Sequence, residues 1–317
     1  MSNVSKSESP YFILLVGSPG VGKTSQVTNF IKDTLGKSYD DFFHVSLDFI
    51  VEKVKPYRNK TREALEFLSQ IHDPLTNTNY QLISKYYLPI IGSVTENFGL
   101  NKTHESVMAN IQKMKNNKNS TSKGGAGNNN KSKKAPVKRA STTRKAKKEN
   151  NPPNNSKKIP KLYELVDNGL ECAIKNGYNI IYDTTFTGKN SVEKIEKMKD
   201  MIQTHGSDKK YNLLVVFVSA NKKYKNFLHG KEYEEKNVEN DQKEEYIKNE
   251  IEAIQMRLTG RHTKMKESGF IRAIPPKLVK IFVKDNEDGF KRAVDHYGKV
   301  DNIRFIVMYN PQDPMKK

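Results

Sequence analysis

Five near-continuous apolar runs punctuate this chain, at 11–16, 42–47, 178–182, 211–218 and 303–309. Between them, apolar residues recur at helical spacing over 24–34, 61–71, 163–175, 190–204 and 244–258. Short runs that are apolar at every position suit strands buried on both faces, and strands of that kind alternate with helices in parallel sheets. The pattern therefore predicts an α/β fold with three layers, helices covering both sides of a mostly parallel five-stranded sheet. No element is predicted between 258 and 303. Residues 10–112 and 160–317 form one domain in this reading, behind a flexible N-terminus at 1–9.

A single window breaks the alternation. From 116 to 156 there is no aromatic residue and one large aliphatic residue, Val137, in a background of Asn, Lys, Ser, Gly, Pro and Ala. Such a segment cannot bury enough apolar surface to offset the entropy of ordering it, so 113–159 is expected to be a disordered insert. It also carries most of the charge: 113–161 holds 16 Lys or Arg against one acid, Glu149, which is +15 of the formal +19. The remaining surface is near balance, so the basic character belongs to the insert and not to the fold. Three readings of the insert are open: a solvated surface insertion, a nuclear-import signal around Lys138, Arg139, Arg144, Lys145, Lys147 and Lys148, or a non-specific nucleic-acid tether. The lone cysteine, Cys172, rules out an intrachain disulfide and fits a reducing setting. The N-terminus shows no apolar signal core and no apolar run reaches about 18 residues, so the expected chain is soluble, intracellular, cytoplasmic or nuclear, and without a membrane partner.

The candidate chemistry begins directly after the first apolar run. Residues 17–24 read GSPGVGKT, the full phosphate-loop spacing between a strand and a helix. Gly17, Gly20 and Gly22 allow the backbone to approach an anion, with Ser18, Pro19, Val21 and Ser25 completing the loop around it. Lys23 is placed to reach the outer phosphates and Thr24 to ligate Mg²⁺. The predicted class is thus a P-loop nucleoside triphosphate hydrolase or kinase fold with ATP and Mg²⁺ as cofactors. No guanine-reading N-K-x-D occurs, which argues against a GTPase.

Acids at strand ends extend the site. The second run ends in Asp48, expected at the edge of a strand next to the loop, as a base for an acceptor hydroxyl or as support for Mg²⁺. The third ends in Asp183, Thr184 and Thr185; the acid belongs to the metal shell or to the acceptor pocket, and a capping turn is the bland alternative. Glu164 and Glu171 lie two turns apart on one predicted helix and are weaker acceptor candidates. Arg257 and Arg261 share a helix face, and Arg272 follows nearby; each could clamp phosphate oxygens or cap a helix end.

Taken in order, GSPGVGKT, HVSLDFIVEKVKPYR, GYNIIYDTTFTG, RLTGRHTKMKESGFIRAIP and VDNIRFIVMYNPQD resemble the zeta-toxin-like kinases. The resemblance implies a three-layer P-loop kinase in which Lys23 and Thr24 handle phosphates and metal. Asp48 would act on the acceptor hydroxyl, and Arg257 with Arg261 or Arg272 would close over the γ-phosphate. The implied reaction is phosphoryl transfer to a hydroxyl of a small molecule, possible acceptors including a nucleotide sugar such as the UDP-N-acetylglucosamine used by bacterial members. The chain departs from that pattern in its basic insert and in the long stretch between Asp48 and Asp183. A polynucleotide end kinase and an idle ATP-binding protein are the competing expectations.

Overall fold

The computed structural model describes residues 6–47, 49, 162–186, 190–206, 208–239, 243–267, 276–300 and 302–311. The predicted insert at 113–159 and the predicted helix at 61–71 lie outside these residues, as do Asp48 and Arg272.

Six strands form one sheet: β1 (Tyr11–Val16), β2 (Phe42–Ser46), β3 (Asn179–Thr184), β4 (Asn212–Ser219), β5 (Lys231–Glu232) and β6 (Ile303–Tyr309). Their order is β2-β3-β1-β4-β6-β5, parallel throughout except for the antiparallel β5. The helices are α1 (Lys23–Leu35), α2 (Leu162–Lys175), α3 (Ser191–His205), α4 (Lys243–Glu267) and α5 (Pro276–Tyr297).

Side-chain alternation along the strands separates two cores. Phe12, Leu14 and Val16 of β1 pack with Val166 and Leu170 of α2, Ile195 and Met198 of α3, and Phe290 and Ala293 of α5. Ile13 and Leu15, on the opposite face, pack with Val27 and Ile31 of α1, Ile254 and Leu258 of α4, and Val279 and Val283 of α5. Helices therefore cover both faces, as in a three-layer α/β fold. Among the described residues, no helix is long and apolar enough to cross a membrane.

Three expectations need correction. The sheet has six strands, not five; β5 is two exposed residues, too short to leave an apolar signature. The strand beside β1 is β3, not the one leading to Asp48, because β2 sits beyond β3 at the edge. The burial pattern gives the reason: the first four residues of β3 are buried, whereas β2 carries half-buried Phe43 and His44, which an edge strand tolerates. Finally, a 22-residue helix, α5, fills part of the stretch for which no element is predicted. Its start at Pro276 and its buried Val279, Val283, Asn286, Phe290, Ala293 and Tyr297 are amphipathic signals that charged neighbours dilute.

One buried ion pair braces the far edge of the sheet. Lys223, in the short 3₁₀ turn after β4, pairs with Glu287 of α5, and both side chains are more than nine-tenths buried. Lys291 adds a second contact to Glu287 at 3.3 Å.

Candidate functional site

The connections leaving β1 and β3 run in opposite directions across the sheet, β1 through α1 to β2 and β3 through α3 to β4. In open α/β sheets a crevice opens at the carboxyl ends of two such strands, and it is the favoured place for a ligand. Here the crevice is lined by the 17–24 loop on one side and by Asp183 and Thr184 on the other, with Leu15 opposite Asp183 and Val16 opposite Thr184 in register.

Few of the N–H groups in the loop and the helix start that follows it have a partner among the described residues. Val21 N–H donates to Ser18 O at 3.2 Å, and the first bond into α1 runs from Gln26 N–H to Gly22 O, also 3.2 Å. No acceptor among the described residues takes the N–H groups of Gly20, Gly22, Lys23, Thr24 or Ser25. The first turn of α1 has neither a side-chain cap nor an acidic residue. Several amides together with a helix N-terminus leave a concentration of positive partial charge suited to an anion.

Lys23 sits in this crevice, its Nζ 2.8 Å from Gly17 O and 3.3 Å from Asp183 Oδ1. The strand periodicity puts Asp183 on the α1 face, with Ile181, and Thr184 on the other. Thr184 is held from that side by Lys194 of α3, whose Nζ donates to Thr184 Oγ1 at 2.8 Å and to Thr185 O at 2.9 Å. Burial, and then the neighbouring Lys197, push the Lys194 pKa down to about 8. The loop after β3 is anchored from α5 as well, since Asn286 Oδ1 accepts the Phe186 N–H at 2.7 Å.

Helix α4 rests on the rear of the 17–24 loop. Its Arg257 Nη1 donates to Val21 O at 3.1 Å, and Asn310, just past β6, donates to the same carbonyl through Nδ2 at 2.6 Å. Burial lowers the Arg257 pKa. A Cβ on Gly20 would stand 2.9 Å from Leu258, so the helix and loop are in close contact. Two turns before Leu258, the buried Glu250 fixes α4 to the end of β4: its Oε1 accepts from Ser219 Oγ and Ala220 N–H, each at 2.9 Å. Burial pushes the Glu250 carboxyl up to about 7, against the pull of these two donors.

On the β2 side, Tyr39 Oη lies 3.1 Å from His44 Nδ1. Burial, then Asp183 and Asp40, push the Tyr39 pKa up to about 12, and burial lowers that of His44. His44 Nε2 is buried with no partner among the described residues.

The structure thus brings Lys23, Asp183, Thr184, Thr185 and Arg257 around the loop of Gly17, Ser18, Pro19, Gly20, Val21, Gly22, Thr24 and Ser25. Thr24 and Ser25 are exposed at its rim. It does not bring Glu171 there: this side chain is paired with Lys175 at 2.5 Å, near the end of α2 that leads into the opposite edge of the sheet. Glu164 is exposed in the first turn of the same helix. Arg261 lies four residues beyond Arg257 in α4, and Asp48 and Arg272 fall outside the described residues. Asn310, Gln26, Lys194 and His44 are the site residues that sequence reasoning missed. Only His44 had a local signal, a polar residue in an apolar run.

Searched against family models, curated proteins and solved structures, the chain matches none of them.

Proposed function

We propose that this chain is a P-loop kinase of the zeta-toxin-like kind, transferring the γ-phosphoryl group of ATP to a hydroxyl of a small molecule. The observation that carries the reading is the set of five loop and helix amides without acceptors among the described residues, gathered beside the Lys23 ammonium. Open amides are usual at a helix start, but here they converge with two loop amides on one ammonium, an arrangement that a polyphosphate would satisfy.

The chain's residues divide the work. The loop amides and Lys23 hold the phosphate tail, and Arg257 contributes a half-buried cation behind the loop. The acceptor oxygen forms a bond to the γ-phosphorus as the bond to the β,γ-bridging oxygen breaks, releasing ADP. The hydroxyl proton passes to a carboxylate, for which Asp48 is the proposed base. Asp183 restrains Lys23, and Lys194 fixes the turn that follows Asp183. Among the described residues, no group of three or more His, Cys, Asp or Glu could hold a metal alone. Thr24 and Asp183 are the oxygen donors that would hold a Mg²⁺ ion, which would supply charge neutralisation at the phosphates.

The test is incubation of the full chain with labelled ATP and Mg²⁺ against panels of nucleotide sugars, nucleosides and oligonucleotides, beside Lys23→Ala. Transfer to one small-molecule class by the native chain alone is expected. Folded protein with no magnesium-dependent affinity for ATP in calorimetry would sink the reading, and transfer confined to oligonucleotide ends would replace the acceptor class.

A further inference from the structure

We infer that Asn310 is a positioning residue for the 17–24 loop, turning the Gly22 N–H into the crevice by holding the carbonyl on the other side of the same peptide bond. The inference rests on the kinase reading only for what the loop binds.

The geometry starts at the end of β6. Pairing with β4 continues one residue past the strand, where Asn310 N–H donates to Ser219 O at 2.9 Å. The side chain then crosses in front of β4 to the loop that follows β1. Both ends of its amide are used: Nδ2 donates to Val21 O at 2.6 Å, and Oδ1 accepts from Gln26 Nε2 of α1 at 3.1 Å. The residue is 6% exposed, so these bonds face little competition from water.

A trans peptide group is planar, with its C=O and N–H pointing in opposite directions. Val21 O and Gly22 N–H belong to one such group. With the carbonyl drawn to the rear by Asn310 and Arg257, the Gly22 N–H is directed to the front, where Lys23 and the unpaired amides lie.

Gly22 has a second requirement beyond its φ of 90°. A Cβ there would stand 2.4 Å from Asn310 Nδ2 and 2.7 Å from Arg257 Nη1. Any side chain at position 22 displaces the groups that orient the peptide.

The deciding experiment compares the full chain with Asn310→Ala and Asn310→Ser, using hydrogen exchange without ligand and calorimetry with ATP and with inorganic tripolyphosphate. Exchange should accelerate about tenfold at the two hydrogen-bonded amides of 20–26, those of Val21 and Gln26, and stay unchanged in β4 and β6. Affinity for both phosphate ligands should fall about tenfold, the cost of freeing one buried carbonyl bond. Unchanged exchange at 20–26 in a folded variant overturns the inference whatever the ligands do. A native chain that binds neither ligand, with exchange altered as expected, leaves the clamp standing and removes the kinase reading instead. Should both variants fail to fold, Gln26→Ala decides: faster exchange at 20–26 supports the clamp, and native exchange there overturns it.

Discussion

Two sets of cations lie at the carboxyl edge of this sheet, and they are handled in opposite ways. At the far side, Lys223 is closed in with Glu287, and Lys291 approaches the same carboxylate. At the crevice, Lys23 touches Asp183 at 3.3 Å but remains partly open, and Arg257, its pKa lowered by burial, donates to Val21 O from behind the loop. The first arrangement is complete, and its role is to hold the 3₁₀ turn against α5. The second leaves Lys23 and the free amides facing one gap, with Arg257 behind the loop, the arrangement expected of a site and not of a brace.

Substitutions can break this contrast, beginning with the largest effect. Lys23→Ala should lower phosphoryl transfer 10²- to 10³-fold in a label-transfer assay while leaving the thermal midpoint nearly unmoved. Lys223→Ala should do the reverse, costing about 3 kcal/mol in urea unfolding by breaking the buried pair and leaving Glu287 to the half-exposed Lys291, with ATP affinity of the folded fraction unchanged. If the two variants behaved alike, the division into site and brace would be wrong.

The mount of α4 sharpens the comparison through pH. The Glu250 carboxyl is raised from 4.5 to about 7 in the folded chain, so between those values the native state holds more protons than the unfolded one. Stability should be fully present below about pH 4.5 and fall as pH rises through 7, by up to about 3 kcal/mol. Glu250→Gln should flatten that slope in urea titrations run from pH 4.5 to 8. Lys223 and Glu287 also act on Glu250, in opposite senses, so the slope belongs to the whole cluster.

Smaller effects follow. Arg257→Ala should weaken ATP about tenfold by calorimetry, through loss of a charge-assisted bond to Val21 O. Glu171→Ala should change neither thermal midpoint nor transfer rate, since its carboxylate pairs with Lys175 on an exposed stretch of α2.

Much of this was legible in the chain. The β1, loop and α1 segment is local in sequence, and its apolar run, glycines and helical spacing each point to the same structure. The identity of the strand beside the loop was not legible in that way, because both β2 and β3 end in acids. What separates them is the polar content of β2, readable only once two-sided burial is weighed against edge exposure. Asn310 escapes altogether: it lies 289 residues from Val21, and nothing in the MYNP context announces the reach of its side chain. Lys194 and Asn286 are hidden for the same reason, since each acts on the turn after β3 from a helix formed later in the chain.

The shortest strand has a consequence of its own. A parallel sheet ending in a bare apolar strand invites a neighbouring molecule to extend it. Beside β6, β5 offers only Lys231 and Glu232, both charged and exposed, and Tyr233 N–H is already spent on Phe305 O. That two-residue, charged rim is therefore a poor template for strand-by-strand polymerisation.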